Sequence, residues 1–136
     1  MNPIIDHEKL LEMAESAREG AYAPYSHFTV GAALLGASGK VYTGCNIENM
    51  SYSATVCAER TALFKAISES EKDFVAIAIS GAPEGEKGAF CAPCGICRQV
   101  LSEFCAKDFL VILGTAENCK TYTLGELLPL TFALPD

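Results

Sequence analysis

Positive charge is scarce in this chain. Ten Lys and Arg stand against 17 Asp and Glu over 136 residues, for a formal net charge of −7 and a pI near 4.8. A protein that tracks a polynucleotide needs a basic surface to displace counterions from phosphates, so nucleic-acid polymers are disfavoured as partners. Histidine is scarcer still: His7 and His27 stand apart, at no metal-ligand spacing. A long apolar run is missing too. Half of the residues are hydrophobic and the mean hydropathy is +0.22, yet no stretch approaches the roughly 18 residues that a membrane span needs. The start Met1-Asn2-Pro3-Ile4-Ile5-Asp6 lacks the basic opening of a signal peptide, so a cytoplasmic protein is expected, with no membrane partner. No repeat or low-complexity linker interrupts the chain, which predicts one domain over residues 1–136, long enough to bury roughly two thirds of the surface its unfolded form exposes.

Cysteine is what the chain does have, in an odd count of seven. Three of them, Cys91, Cys94 and Cys97, form a C-x-x-C-x-x-C run that suits metal ligation in a reducing compartment better than a disulfide framework. Read with the upstream Cys57-Ala58-Glu59-Arg60, the stretch Pro93-Cys94-Gly95-Ile96-Cys97 offers three thiolates to one metal and leaves the carboxylate of Glu59 beside them, unligated. Zinc held by three protein ligands keeps a fourth position for water, whose pKa it lowers from about 15.7 to about 7. A C-x-E paired with P-C-x-x-C is the pattern of the zinc nucleobase deaminases. Three thiolates leave zinc with a net negative site, and two helix amino termini of roughly half a positive charge each would offset about one unit.

Each residue also has a plainer reading. Glu59 could be a solvated first-turn glutamate, and Arg60 a surface arginine. Cys91 could complete a closed four-cysteine zinc site, structural and inert. Against that, Pro93 stands between Cys91 and Cys94 and opens a helix, which places Cys91 outside the helix start. An iron–sulfur cluster run would put its next cysteine where Leu101 stands and follow it with proline. Cys45, Cys105 and Cys119 read as buried or incidental thiols.

The local signals order themselves into alternating elements. Asp6 can cap a first helix with Leu10, Leu11, Ala14, Ala17 and Ala21 on one stripe, ended by Pro24. Residues 28–35 and 40–45 read as a hairpin turning at 36–39, with Gly31 at a close backbone approach. A helix is expected over 57–70, with Ala62, Leu63, Ala66 and Ile67 inward, and a buried strand over 74–79. After a loop at 81–92, Pro93 and Cys94 open a helix to about Phe104, with Val100 and Leu101 inward. A strand over 109–113 follows, and Thr123-x-x-Glu126 is a capping box before a stop near Pro129. Strand, helix, strand, helix, strand in the middle implies parallel pairing through right-handed crossovers, which brings both helix starts to one edge of the sheet, so that Cys57 can meet Cys94 and Cys97.

Four ordered blocks carry a resemblance: Phe28-Thr29-Val30-Gly31-Ala32-Ala33-Leu34, Gly44-Cys45-Asn46-Ile47-Glu48-Asn49, Cys57-Ala58-Glu59-Arg60-Thr61-Ala62 and Pro93-Cys94-Gly95-Ile96-Cys97-Arg98-Gln99-Val100. They resemble the small homotetrameric cytidine deaminases, in that family's order and spacing, from about Ala21 to Phe132. The resemblance implies a three-layer α/β/α fold around a mixed five-stranded sheet and one Zn²⁺ per subunit. It implies hydrolytic deamination of cytidine and 2′-deoxycytidine in pyrimidine salvage, with Glu59 as the proton shuttle. It also implies a hydrogen bond from Arg60 to a ligand sulfur, a sugar clamp from Asn46 and Glu48, base stacking on Phe28, and a base contact from the Ala58 backbone N–H. Phe132, in the apolar segment Leu127-Leu128-Pro129-Leu130-Thr131-Phe132-Ala133-Leu134, would reach into a neighbouring subunit's site. Read from the residues alone, Asn46 and Glu48 could be turn polarity and Phe28 a strand-core aromatic. No Lys or Arg cluster stands near these blocks, which favours a free nucleoside over a nucleotide. Two other readings remain at this stage: a deaminase of the same fold acting on a cytosine-containing antibiotic such as blasticidin S, and a non-catalytic domain stabilised by zinc.

Overall fold

A computed structural model describes residues 2–135. Its centre is a five-stranded mixed sheet in the order β2-β1-β3-β4-β5. The strands are β1 (Phe28–Gly36), β2 (Val41–Cys45), β3 (Phe74–Pro83), β4 (Leu110–Gly114) and β5 (Cys119–Thr123). Of the neighbouring pairs, β3 and β4 are parallel and the other three antiparallel. The expected parallel pairing is made between β3 and β4 but not between β2 and β3, which run in the same direction with β1 hydrogen-bonded between them. The chain therefore steps over one strand on its way from β2 to β3.

Strand alternation sorts the side chains into two cores. Ala33, Leu35, Ala76, Ala78 and Ile112 face α1 (His7–Ala17), through Leu10, Leu11 and Ala14. Ala32, Leu34, Ile77, Ile79, Val111 and Leu113 face α2 (Ala58–Ser68), α3 (Gly95–Phe104) and α4 (Leu124–Leu127), which contribute Ala62, Leu63, Ala66, Leu101 and Leu124. These are the three α/β/α layers that the resemblance implies. Among the described residues, no helix is long and apolar enough to cross a membrane.

Asp6 caps α1 as expected, accepting from the Lys9 backbone N–H at 3.1 Å. The helix ends earlier than Pro24, however. It tightens into a 3₁₀ turn at Arg18–Gly20, which removes Ala21 from the apolar stripe. This tightening brings Arg18 over Gly31, where a side chain would overlap the Ala14 carbonyl oxygen and meet the Arg18 backbone nitrogen at 2.8 Å. The expected close approach at Gly31 is thus the seat of α1 on the sheet. β3 runs on to Pro83, past the expected end at Ile79, because Gly81 and Ala82 pair with Val30 and Thr29 of β1. The capping box of α4 is present in full: Thr123 Oγ1 accepts from the Glu126 N–H, and the Glu126 carboxylate accepts from the Thr123 N–H.

Candidate metal centre and substrate pocket

Both metal-binding motifs lie at helix starts. Cys57 is the residue before α2 and Cys94 the residue before α3, each in extended backbone. Extended geometry at a helix N-cap swings the side chain across the helix end, where the first-turn N–H groups lack partners within the helix. The Cys94 sulfur accepts from the Cys97 backbone N–H at 3.5 Å, whereas the Cys57 side chain makes no such cap. The approach to α3 is locked by Arg98, which donates from Nε to the Pro93 carbonyl at 2.8 Å and from Nη1 to the Leu127 carbonyl at 2.9 Å.

As a result the sulfurs of Cys57, Cys94 and Cys97 all lie within 4.8 Å of one another, and those of Cys57 and Cys94 are 3.6 Å apart. Tetrahedral zinc with sulfur bonds of about 2.3 Å separates its ligands by roughly 3.8 Å, so the cluster has the size of a zinc site. Cys91 is not a member of it. The donor chemistry fits as well. Hydrogen bonds from Cys97, Arg60 and Cys94 hold the Cys57 thiol at about 5, well below an ordinary cysteine, and Cys97 is held high as the partner that gives its proton to that bond. A thiolate is the form that binds metal. Arg60 donates from Nη2 to the Cys57 sulfur at 3.6 Å, as the resemblance implies, and its Nε is buried with no partner among the described residues.

Glu59 stands in the first turn of α2 at 4% exposure. Burial pushes its carboxyl up to about 7, and the neighbouring Cys57 charge adds to the rise. A carboxyl that titrates near neutrality can both take and give a proton there. Ala58, fully buried, opens the same turn and presents a first-turn backbone N–H.

The other expected residues spread along the approach to this turn. Phe28 begins β1, 38% exposed. Asn46 continues β2 sideways onto β1: its Oδ1 accepts from the Val30 N–H and its Nδ2 donates to the Phe28 carbonyl, both at 2.9 Å. Glu48 is pinned from below, accepting from the Tyr25 and Ser26 N–H groups at 3.0 and 3.2 Å and from the Ser26 hydroxyl. It borders a cavity of about 380 Å³ shared with Tyr25, Ser26, Tyr52 and Thr55. A larger cavity, about 550 Å³, lies on the α1 side between Glu15, Arg18, Ser80 and the 84–88 loop, away from the thiols. The chemistry follows the thiols and not the larger volume. Phe132 is 72% exposed, tied to its own chain by its carbonyl, which accepts from Gln99 Nε2 at 3.1 Å.

One polar group escaped the motif reading. Arg18, 7% exposed, donates from Nε to the Thr29 carbonyl and hydroxyl, from Nη2 to the Ala82 carbonyl, and from Nη1 to Glu15 at 2.8 Å. Glu15 in turn accepts from the Ser80 hydroxyl at 2.6 Å and the Gly88 N–H at 3.2 Å. The signal was present in the spacing: Leu11, Ala14 and Arg18 fall at helical intervals, where an arginine is out of place unless its charge is answered.

A three-layer sheet protein with three cysteine sulfurs and one unligated buried carboxyl at two helix starts belongs to the class of zinc-dependent hydrolytic deaminases. Residues 4–113 match the family described as the cytidine and deoxycytidylate deaminase zinc-binding region. The chain is 50% identical over 133 residues to a cytidine deaminase of Halalkalibacterium halodurans, covering 97% of this chain and 98% of that protein. The crystal structure of a cytidine deaminase from Burkholderia pseudomallei, 46% identical, superposes with a TM-score of 0.85 over 94% of this chain and all of that one. A blasticidin-S deaminase of Bacillus cereus is more distant, at 31% over 91% of this chain and 90% of that protein. The chain belongs to the cytidine deaminase family, and it is a zinc enzyme that deaminates cytidine by hydrolysis.

Proposed function

We propose that Cys57, Cys94 and Cys97 hold the zinc and that Glu59 carries the protons of the reaction on a free nucleoside, in pyrimidine salvage in the cytoplasm. The observation that carries this is the three-sulfur cluster with the buried Glu59 carboxyl one residue from a ligand. Bound zinc supplies a Lewis acid that activates water at neutral pH. Glu59 takes the proton released by that water, gives it to ring nitrogen N3 as C4 is attacked, then takes the proton of the new C4 hydroxyl and delivers it to the departing ammonia as C4 becomes a carbonyl. Arg60 and the amino ends of α2 and α3 offset the charge of three thiolates. The Phe28 ring supports a face of the base, the Ala58 N–H meets its carbonyl edge, and Asn46 with Glu48 holds the sugar hydroxyls. The test is Glu59→Gln. It keeps one zinc per chain by elemental analysis and loses nearly all ammonia release from cytidine; loss of zinc in that variant would make Glu59 a ligand and overturn the assignment.

The same reading extends to a homotetramer with shared sites. It is supported by the exposure of Phe132, Leu130 and Leu134 on an apolar segment and of Tyr22, Met50 and Tyr52 near the approach to Cys57. Glu59→Gln and Phe132→Ala, each weakly active alone, are refolded together so that subunits scramble. Shared sites restore both groups in roughly a quarter of the sites under random symmetric assembly, whereas hybrids no more active than the average of their parents would refute sharing.

A further inference from the structure

Pro93 is fully buried, and Cys94 follows it directly as the residue before α3. Upstream, the loop from β3 is anchored at Ala89, whose N–H donates to the Gly81 carbonyl at 3.0 Å. Downstream, the Cys94 carbonyl accepts from the Arg98 N–H at 3.0 Å, in the first turn of α3. Between these points, among the described residues, 90–93 make no backbone–backbone hydrogen bond, and only the Arg98 side chain bonds to them. Its Nε donates to the Pro93 carbonyl at 2.8 Å. The carbonyl of a buried residue needs a partner, and Pro93 has no N–H by which its own backbone could be held.

The other side of the guanidinium is fixed too. Its Nη1 donates at 2.9 Å to the carbonyl of Leu127, the last residue of α4. The final carbonyls of a helix lack partners within it, and a basic side chain near the end can supply one. α4 is capped at its start by Thr123 and Glu126 and packed into the core through Leu124, 3% exposed. Arg98 therefore spans from a carbonyl with no other tie to one on an anchored helix. Both donors belong to one planar group, which holds the two carbonyls at a set spacing as the single ammonium of lysine does not.

We propose that Arg98 is a positioning residue for the metal: it seats the Cys94 sulfur by holding the peptide directly before it against the end of α4. This rests on the reading above that Cys94 is a zinc ligand. The Pro93 carbonyl is part of the peptide plane that ends at the Cys94 Cα, so a tilt of that plane swings the Cys94 side chain and moves its sulfur relative to those of Cys57 and Cys97. Cys97 lies within α3 and Cys57 at the start of α2, so neither hangs from that peptide. Loss of Arg98 thus loosens one ligand of the three-sulfur cluster and leaves the other two in place.

The experiment follows the equilibrium transfer of zinc from the zinc-loaded enzyme to a chromophoric chelator, for wild type, Arg98→Met, Arg98→Lys and Gln99→Met. Arg98→Met holds zinc roughly 10–100-fold more weakly, the range in which groups beyond the ligands act on a metal. Arg98→Lys keeps the charge and loses the paired donors, so it recovers only part of that affinity. Gln99→Met, on the same turn of α3, loses the bond to the Phe132 carbonyl and keeps wild-type affinity. An arginine that served stability alone would lower the melting temperature and leave the zinc distribution unmoved. Affinity within about twofold of wild type in a folded Arg98→Met enzyme would therefore overturn the proposal. Full recovery in Arg98→Lys overturns it as well, by making charge sufficient, and so does an equal loss in Gln99→Met, by making any change on that turn sufficient. Should Arg98→Met fail to fold, Arg98→Lys decides by the same transfer: weakened binding supports the proposal and wild-type binding overturns it. Cys94→Ala separates the two layers of inference. Zinc held there at wild-type affinity overturns the ligand reading itself, whereas zinc lost from Cys94→Ala and held normally by Arg98→Met overturns the positioning alone.

Discussion

Gly44 lies in β2 against the first turn of α2, and Gly44→Ala tests how tightly the sheet positions the reaction. A Cβ at Gly44 would stand 2.5 Å from the Ala62 backbone nitrogen and 2.6 Å from the Ala58 carbonyl oxygen. Both obstacles are helix backbone, so neither can rotate away. To reach ordinary contact at 3.4 Å the helix start must retreat by about 0.9 Å, carrying Cys57, Ala58 and Glu59 with it. Misplacement by about 1 Å costs on the order of a hundredfold in rate, and overpacking of this kind costs about 1–3 kcal/mol of stability. The expected variant folds, melts several degrees lower, and shows kcat/KM for cytidine down roughly a hundredfold by the loss of cytidine absorbance. Gly20→Ala is the control, because its Cβ meets only the Cys45 sulfur at 3.5 Å, an ordinary contact. Wild-type kcat/KM in a folded Gly44→Ala enzyme would refute the claim that the sheet sets the position of Glu59.

Arg18→Met removes a donor from the Thr29 and Ala82 carbonyls and from the Glu15 carboxylate, which keeps only its bonds from Ser80 and Gly88, and denaturant titration should show a loss of about 3 kcal/mol. Glu15 carries a pH signature: burial alone would raise its pKa, but the bonds from Ser80, Gly88 and Arg18 outweigh burial and hold it below the ordinary 4.5. Its stabilisation is therefore complete above pH 4.5 and fades as the pH falls toward its lowered value, so the stability gap between wild type and Glu15→Gln narrows in acid; a gap constant with pH would refute this. Thr123→Ala breaks the capping box of α4 and should cost about 1 kcal/mol by the same titration.

The elements that the sequence exposes are those whose signal is local. The hairpin of β1 and β2, the caps at Asp6 and Thr123, and the helix starts at Cys57 and Cys94 are all decided within a few residues, so motif and structure meet at the metal centre. What is decided by a distant partner stays hidden. β5, Cys-Lys-Thr-Tyr-Thr, has no apolar run of its own and becomes a strand because it pairs with β4 at the sheet's edge. Ala21 keeps helical spacing with Ala17, but the helix tightens at Arg18 to meet Gly31, which is far away in the fold's logic and invisible to periodicity. The insertion of β1 between β2 and β3 is a fact of topology that the order of elements alone leaves open. The bond from Arg98 to the Leu127 carbonyl joins two positions that no spacing rule relates.

The carboxamide of Asn46, bonded on both sides to β1, divides labour within the proposed sugar clamp. Asn46→Asp would keep an acceptor for the Val30 N–H and set a negative charge against the Phe28 carbonyl, loosening the strand that presents Phe28. Position 46 is thereby frozen by architecture as well as by any ligand. Glu48 hangs instead from a surface turn at Tyr25 and Ser26, where only the Ser26 hydroxyl reaches a strand, accepting from the Phe28 N–H at 3.0 Å. Drift toward a different sugar has an open route through 25 and 48 and a closed one through 46, so new preferences in this scaffold should accumulate there while the asparagine stays.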